Sequence, residues 1–167
     1  MPLLQQAIHS HVAAIPHDFL RRVRIEGRDH LGQPVKRVIA RGGEPCRDAL
    51  RRAHPGEELI VASFSPFERS GPYKEYGPVF VLAHDSPDTA DREFLPIGAD
   101  DTYLRDQFVI RAYSKEDEII DAALVEAIRA QDVIDEFFSR DETAFLHARF
   151  PTYGCFACRL DRSTRPL

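Results

Sequence analysis

Three short apolar runs constrain the fold of this chain more than any other feature of its sequence. They are ELIVASF at residues 58–64, PVFVLAH at 78–84 and QFVIRAYS at 107–114. Runs of this length, rich in β-branched and aromatic residues and bounded by turn-forming or acidic segments, are typical of buried strands. Residues 65–77, between the first two runs, are dense in glycine, proline and aromatic residues, which predicts a long loop.

The N-terminal quarter of the chain has weaker patterns. Residues 3–15 carry apolar side chains at helical spacing between two prolines, so a short amphipathic helix is expected there. Residues 22–26 and 35–40 have the composition of two short strands, separated by polar residues and a glycine.

The C-terminal third predicts one more strand, a helix and a hairpin. A strand at 118–124 followed by a helix to about residue 139 fits the apolar spacing better than one long helix. Residues 143–150 and 155–161 flank the sequence Pro-Thr-Tyr-Gly, which is the pattern of a β-hairpin.

These elements contain several strands and few helices, without a regular alternation of strand and helix. The expected fold class is therefore α+β, a mainly antiparallel sheet with a C-terminal β-hairpin and one or two helices. The expected organisation is an N-terminal helical extension at 1–18, a single α+β domain at 19–162 and a disordered tail at 163–167.

Composition excludes some classes of protein and favours others. A chain of 167 residues with 43% hydrophobic residues can bury its own core, and no run is long enough to span a bilayer. No secretory signal is recognisable and three cysteines do not make a disulfide framework, so a cytoplasmic location is expected. The net charge of −5 argues against nucleic acid as a partner, and no membrane partner is expected.

The predicted hairpin holds the residues with the most chemical potential. If its loop has four residues, His147 lies opposite Cys158; with five, it lies beside Cys155 and Arg159. Both registers bring one imidazole close to one thiol, so His147, Cys155 and Cys158 are candidate catalytic residues.

Other interpretations of these residues stay open. A weaker alternative is a metal site formed by Cys46, His147, Cys155 and Cys158, although a single Cys-x-x-Cys lacks the second ligand pair of a zinc ribbon. The two hairpin cysteines are also a candidate redox pair. Small buried hydrophobic residues beside a core histidine are the commonest explanation of such a pattern. No cofactor is predicted.

Several arginines and tyrosines are candidate ligand-binding residues. Arg111 and Tyr113 share one face of a strong strand, and Arg149 and Arg159 lie in the hairpin; arginine binds carboxylate or phosphate groups bidentately. In the loop at 65–77, Tyr73 and Tyr76 could close over a ligand.

Several short motifs resemble a bacterial protein family catalogued as a domain of unknown function. They are Pro45-Cys46-Arg47, Pro55-Gly56-Glu57, Tyr73 with Gly77-Pro78-Val79-Phe80-Val81, Arg111-Ala112-Tyr113, His147 and Gly154-Cys155-Phe156-Ala157-Cys158-Arg159. The last block is the most specific. The resemblance implies a small single-domain protein and supplies no mechanism. The candidate arginines and the loop at 65–77 favour a domain that binds a small anionic molecule, which is the best hypothesis. The alternatives are an enzyme that depends on cysteine and histidine, and an interaction or homodimerisation domain with an exposed β-edge.

Overall fold

Two five-stranded sheets form the framework of the fold. The structure is a computed structural model, and it describes residues 10–87, 94–97 and 103–163. In spatial order, the first sheet contains β1 (Ser10–Ala13), β10 (Phe156–Arg162), β9 (Phe145–Arg149), β7 (Gln107–Tyr113) and β8 (Ile119–Glu126). The second contains β2 (Lys36–Ile39), β5 (Glu58–Phe64), β6 (Gly77–Leu82), β3 (Pro45–Cys46) and β4 (Arg51–Arg52). Among these strands only β3 and β6 pair in parallel, so the fold is α+β with mainly antiparallel sheets, as the sequence predicts.

The three apolar runs are interior strands of these sheets. β5 has the predicted bounds, and β6 and β7 begin and end within two residues of them. In β5 the buried Ile60, Ala62 and Phe64 pack into one apolar cluster and Leu59, on the opposite face, packs into another, so both faces of the strand are covered. The predicted strand, helix and hairpin of the C-terminal third are confirmed as β8, α2 (Ala130–Phe138) after a 3₁₀ turn, and the pair β9–β10.

The prediction for the N-terminal quarter is partly wrong. Residues 10–13 form β1 and pair with β10, whereas a helix was expected at 3–15; residues 1–9 lie outside the described residues. Ser10 and Val12 are buried and alternate with their neighbours, so strand pairing overrides the helical spacing. Part of the predicted helical extension therefore belongs to the first sheet.

The strand predicted at 22–26 is also wrong. These residues form a π-helical turn that continues α1 (His17–Arg21). Buried Phe19, Leu20 and Val23 share one helical face, while Ile25 is 74% exposed, so the apolar residues fit a helix better than a strand. Gly27, at φ 65°, ends the turn.

Arg47 connects the two sheets. It is buried directly after β3, and its backbone N–H donates to the Phe80 carbonyl in β6 at 2.9 Å. Its Nε donates to the Phe156 carbonyl in β10 at 2.9 Å, and its Nη1 donates to the Pro45 carbonyl at 2.7 Å. Burial lowers the pKa of this guanidinium. Arg47 therefore holds the start of β10 against the second sheet, where the rings of Phe156 and Phe64 meet.

No helix in the described part of the chain is long and apolar enough to cross a membrane. Residues 164–167 of the predicted tail also lie outside the described residues.

Candidate functional site

A row of polar side chains crosses three strands on one face of the first sheet. Arg111 in β7 lies directly opposite His147 in β9, and His147 lies directly opposite Arg159 in β10. Side chains opposite each other on neighbouring strands point to the same face of a sheet, with Cβ atoms about 5 Å apart. The sheet thus adds Arg111 to the pair of His147 and Arg159 that one of the two predicted registers brings together.

Of the two registers that the sequence allows, the pairing of His147 with Cys158 does not form, whereas the pairing of His147 with Arg159 does. The hairpin loop does begin as predicted for four residues, since the Phe150 N–H donates to the Cys155 carbonyl at 3.0 Å. A β-bulge at the start of β10 then shifts the register, so that Cys158 pairs with Ala148. Cys158 therefore lies on the opposite face of the sheet from His147, in the core.

The structure also separates the other thiols. Cys155 is half-buried, and its Sγ lies 3.8 Å from the Tyr153 carbonyl oxygen. Cys46 is buried in the second sheet, where burial raises the pKa of its thiol to about 12. Within the described ranges no three histidine, cysteine or acidic residues are grouped as metal ligands would be. The arrangement therefore supports neither the thiolate–imidazole pair with Cys158 nor the metal alternative.

His147 is enclosed by aromatic rings. Its ring centre lies 4.7 Å from that of Tyr113, 5.0 Å from Phe156, 5.1 Å from Phe145 and 5.2 Å from Phe67. The residue has no exposed surface. A substrate in solvent cannot reach this imidazole while the rings are in place.

The same surroundings keep His147 neutral. Burial lowers its pKa well below the ordinary value, and the positive charges of Arg149, Arg159 and Arg111 add to this effect. Neither ring nitrogen of His147 has a hydrogen-bond partner among the described residues. The hydroxyl of Tyr113 has none among them either. His147 is thus a shielded neutral group, unsuited in this state to act as a general base.

Arg149 and Arg111 converge on one carboxylate. Nη2 of Arg149 forms a close ion pair with Oε1 of Glu75, and Nη1 of Arg111 lies 3.6 Å from the same oxygen. Nη1 of Arg149 donates to the Gly154 carbonyl at 3.2 Å. The Nε of Arg149 is buried and has no hydrogen-bond partner among the described residues. Two of the predicted anion-binding residues thus already share an acidic group of the chain itself.

Arg159 has a separate acidic neighbour. Its Nε donates to Oδ1 of Asp161, two residues along β10, at 2.9 Å. Its Cζ lies 3.9 Å from the ring centre of Phe145, a cation–π contact. This face of the sheet therefore presents three guanidinium groups beside two carboxylates.

The loop at 65–76 covers this face. Phe67 packs on His147, and Nζ of Lys74 donates to the Phe67 carbonyl at 3.1 Å, which ties the two halves of the loop together. Tyr76 lines both of the cavities described below. Tyr73 is 41% exposed and lines neither of them. Of the two predicted lid tyrosines, Tyr76 lines these two cavities and Tyr73 does not.

A small cavity lies where this loop meets the hairpin. Its volume is about 190 Å³. Among the residues that the structure describes, only Arg149 and Glu75 are charged in its lining, and the half-buried Cys155 lies at its wall. Its apolar walls are formed mainly by Phe64, Pro66, Tyr76, Pro78, Val79 and Phe156. The cavity therefore places one buried cation, paired with Glu75, beside walls that are largely apolar.

A larger cleft of about 760 Å³ lies on the other side of the loop. It shares the side chains of Phe64, Pro66, Tyr76 and Phe156 with the small cavity. Its charged lining is mixed, with Lys74 and Arg159 against Asp18, Glu68 and Asp161. The larger cleft consequently has no preference for anions, and the small cavity is the better anion site.

Glu75 and Phe67 are residues of the site that the sequence did not single out. Glu75 is one acidic residue among many, and Phe67 is one aromatic residue in a loop rich in them. The position of Glu75 between two tyrosines of a loop is the only sequence signal that could have indicated its role.

Comparison with known proteins identifies one family. A family model described as "Protein of unknown function (DUF1203)" matches residues 43–162. No curated protein and no solved structure matches the chain. The matched range includes every residue of the cavity and of the polar row described above.

Proposed function

This chain belongs to the DUF1203 family, whose description names no activity, and we propose that it binds a small anionic molecule in the cavity beside Arg149. The observation that carries the proposal is the state of Arg149. Its side chain is only 5% exposed, it lines a cavity, and its Nε has no partner among the described residues. A buried guanidinium with an unused donor is a costly feature, and an anion in the cavity would give its charge a further partner.

The surrounding charges favour an anion over a neutral ligand. Arg111, Arg149 and Arg159 lie on one sheet face with Glu75 and Asp161 as their acidic neighbours. The low dielectric of the largely apolar cavity strengthens the attraction between Arg149 and an anionic group.

The loop at 65–76 supplies one wall of the site. It contributes Pro66, Glu75 and Tyr76 to the cavity, while the hairpin contributes Arg149 and Phe156. Loops held against a rigid sheet are common places for ligand sites because they can adjust while the sheet fixes the charged group.

The cysteine–histidine enzyme is not carried forward as a second function. His147 is shielded by four aromatic rings, and Cys158 lies on the opposite face of the sheet. Self-association stays a prediction: β8 is an edge strand of the first sheet, and Leu124 within it is 62% exposed. We further propose that the ligand is bound in the cytoplasm, where the three thiols would stay reduced.

A ligand panel tests the proposal. Acetate, benzoate and inorganic phosphate are added to the protein, and binding is measured by thermal shift and by isothermal titration calorimetry. At least one anion is expected to bind, and Arg149→Gln is expected to weaken that binding about tenfold or more, because a charged hydrogen bond is lost. Arg149→Lys keeps the charge and is expected to retain part of the affinity.

The matched control is Arg37→Gln, which removes a half-exposed arginine of β2 outside the cavity lining. This variant is expected to bind as the wild type does. The absence of binding by every anion at millimolar concentration would overturn the proposal. Equal affinities in the wild type and Arg149→Gln would do the same.

A further inference from the structure

We infer that the ligand is a small aromatic carboxylate with one ring, and that its carboxylate takes the place of Glu75 on Arg149. This inference rests on the proposed function and assigns its ligand class. Glu75 is then an internal carboxylate that occupies the site when the ligand is absent.

The first argument is that Glu75 uses only one of the two donors on one edge of the Arg149 guanidinium. In an arginine side chain, the N–H groups of Nε and Nη2 point in the same direction and form a fork that matches the two oxygens of a carboxylate. Glu75 contacts only Nη2, through Oε1, and Nε is left without a partner among the described residues. A carboxylate that is free to position itself can engage both donors, so it can bind this edge better than Glu75 does.

The second argument is that Glu75 can leave. The side chain of Glu75 is 43% exposed, whereas that of Arg149 is 5% exposed. When the ion pair separates, the glutamate can turn into solvent, but the arginine must stay in the protein. Exchange of one carboxylate for another leaves the buried charge paired both before and after ligand binding, which avoids the high cost of a free state with an unpaired arginine.

The third argument is the size and chemistry of the cavity. A volume of about 190 Å³ is of the order of the cavities that accept a single benzene ring. Phe64 and Phe156, whose ring centres lie 5.5 Å apart, and Tyr76 offer ring surfaces to a planar ligand. The walls away from Arg149 are largely apolar, so a phosphate would lose hydration there without gaining further charged donors.

The test compares substitutions at two glutamates of the same loop. Benzoate is titrated into the full-length wild type, Glu75→Gln, Glu75→Ala and the control Glu68→Gln, and affinities are measured by calorimetry. Benzamide has the ring without the charge, hexanoate has the carboxylate without the ring, and inorganic phosphate is a different anion. If Glu75 competes for Arg149, both Glu75 variants bind benzoate about fivefold or more tightly than the wild type, and Glu68→Gln binds as the wild type does.

Each other outcome decides a specific point. Benzoate affinity that is unchanged or lower in both Glu75 variants would overturn the role of Glu75. Benzamide or hexanoate binding as tightly as benzoate would overturn the ligand class. Binding of phosphate but not benzoate, with loss in Arg149→Gln, would overturn this inference and leave the proposed function standing. No binding of any probe to the wild type or to the Glu75 variants would overturn both.

Discussion

Replacing Arg47 with methionine is expected to weaken the contact between the two sheets. The cavity depends on this contact. The substitution keeps a long apolar stem and removes the guanidinium that joins the Phe156 and Pro45 carbonyls. Each hydrogen bond from a charged donor contributes about 1.5–3 kcal/mol, so the two bonds together contribute roughly 3–6 kcal/mol. Part of this loss in stability is offset, because the folded variant no longer buries a charge. The net loss in the free energy of unfolding is therefore expected to be about 2–4 kcal/mol.

Urea denaturation of the wild type and Arg47→Met measures this loss. The matched control is Arg37→Met, because Arg37 is half-exposed and lies 3.6 Å from Glu58 in a surface ion pair. The control is expected to lose less than about 1 kcal/mol, as exposed pairs usually do. If the slope of the free energy of unfolding against urea concentration is the same in the wild type and the variant, the substitution has changed stability alone. A loss for Arg47→Met no larger than that of the control would refute the assignment of Arg47 as the connection between the sheets.

Two further predictions follow from the buried imidazole and the half-buried thiol. Because burial holds the pKa of His147 well below its usual value, the unfolded chain binds a proton below about pH 6.5 that the folded chain does not. The free energy of unfolding, measured by urea denaturation, should therefore fall between about pH 6.5 and 5.5. The fall should be about 1 kcal/mol larger in the wild type than in His147→Leu. Equal losses in the two proteins would contradict a buried neutral imidazole. Cys155 lies at the wall of the cavity and should react with iodoacetamide faster than the buried Cys46. Benzoate should slow the labelling of Cys155. Mass spectrometry of the labelled peptides measures the labelling rates of both cysteines. Labelling of Cys155 that is unaffected by saturating benzoate would place the ligand elsewhere.

The sequence predicts those elements whose pattern is local. β5 is recognisable because its apolar run and its flanking turn residues are contiguous in the chain. β1 is not recognisable, because its strand conformation comes from pairing with β10, nearly 150 positions later. The π-helical turn at Arg22–Glu26 was missed because a short alternation of arginine and aliphatic residues fits a strand as well as one helical turn.

The candidate site shows the same division. The shared face of His147 and Arg149 follows from strand alternation and was predictable. The bulge that turns Cys158 away from His147 was not, since nothing in the hairpin sequence marks the extra residue. The ion pair of Arg149 with Glu75 joins residues 74 positions apart, which only the folded chain brings together.

A crystal structure of the protein soaked with 4-bromobenzoate tests the central claim most directly, because the bromine gives an anomalous signal that locates the ring. The expected result is a bromine peak in the cavity lined by Phe64 and Phe156, with the carboxylate on Nε and Nη2 of Arg149 and the Glu75 side chain turned into solvent. A cavity without ligand at a saturating concentration, with Glu75 still paired to Arg149, would contradict the account.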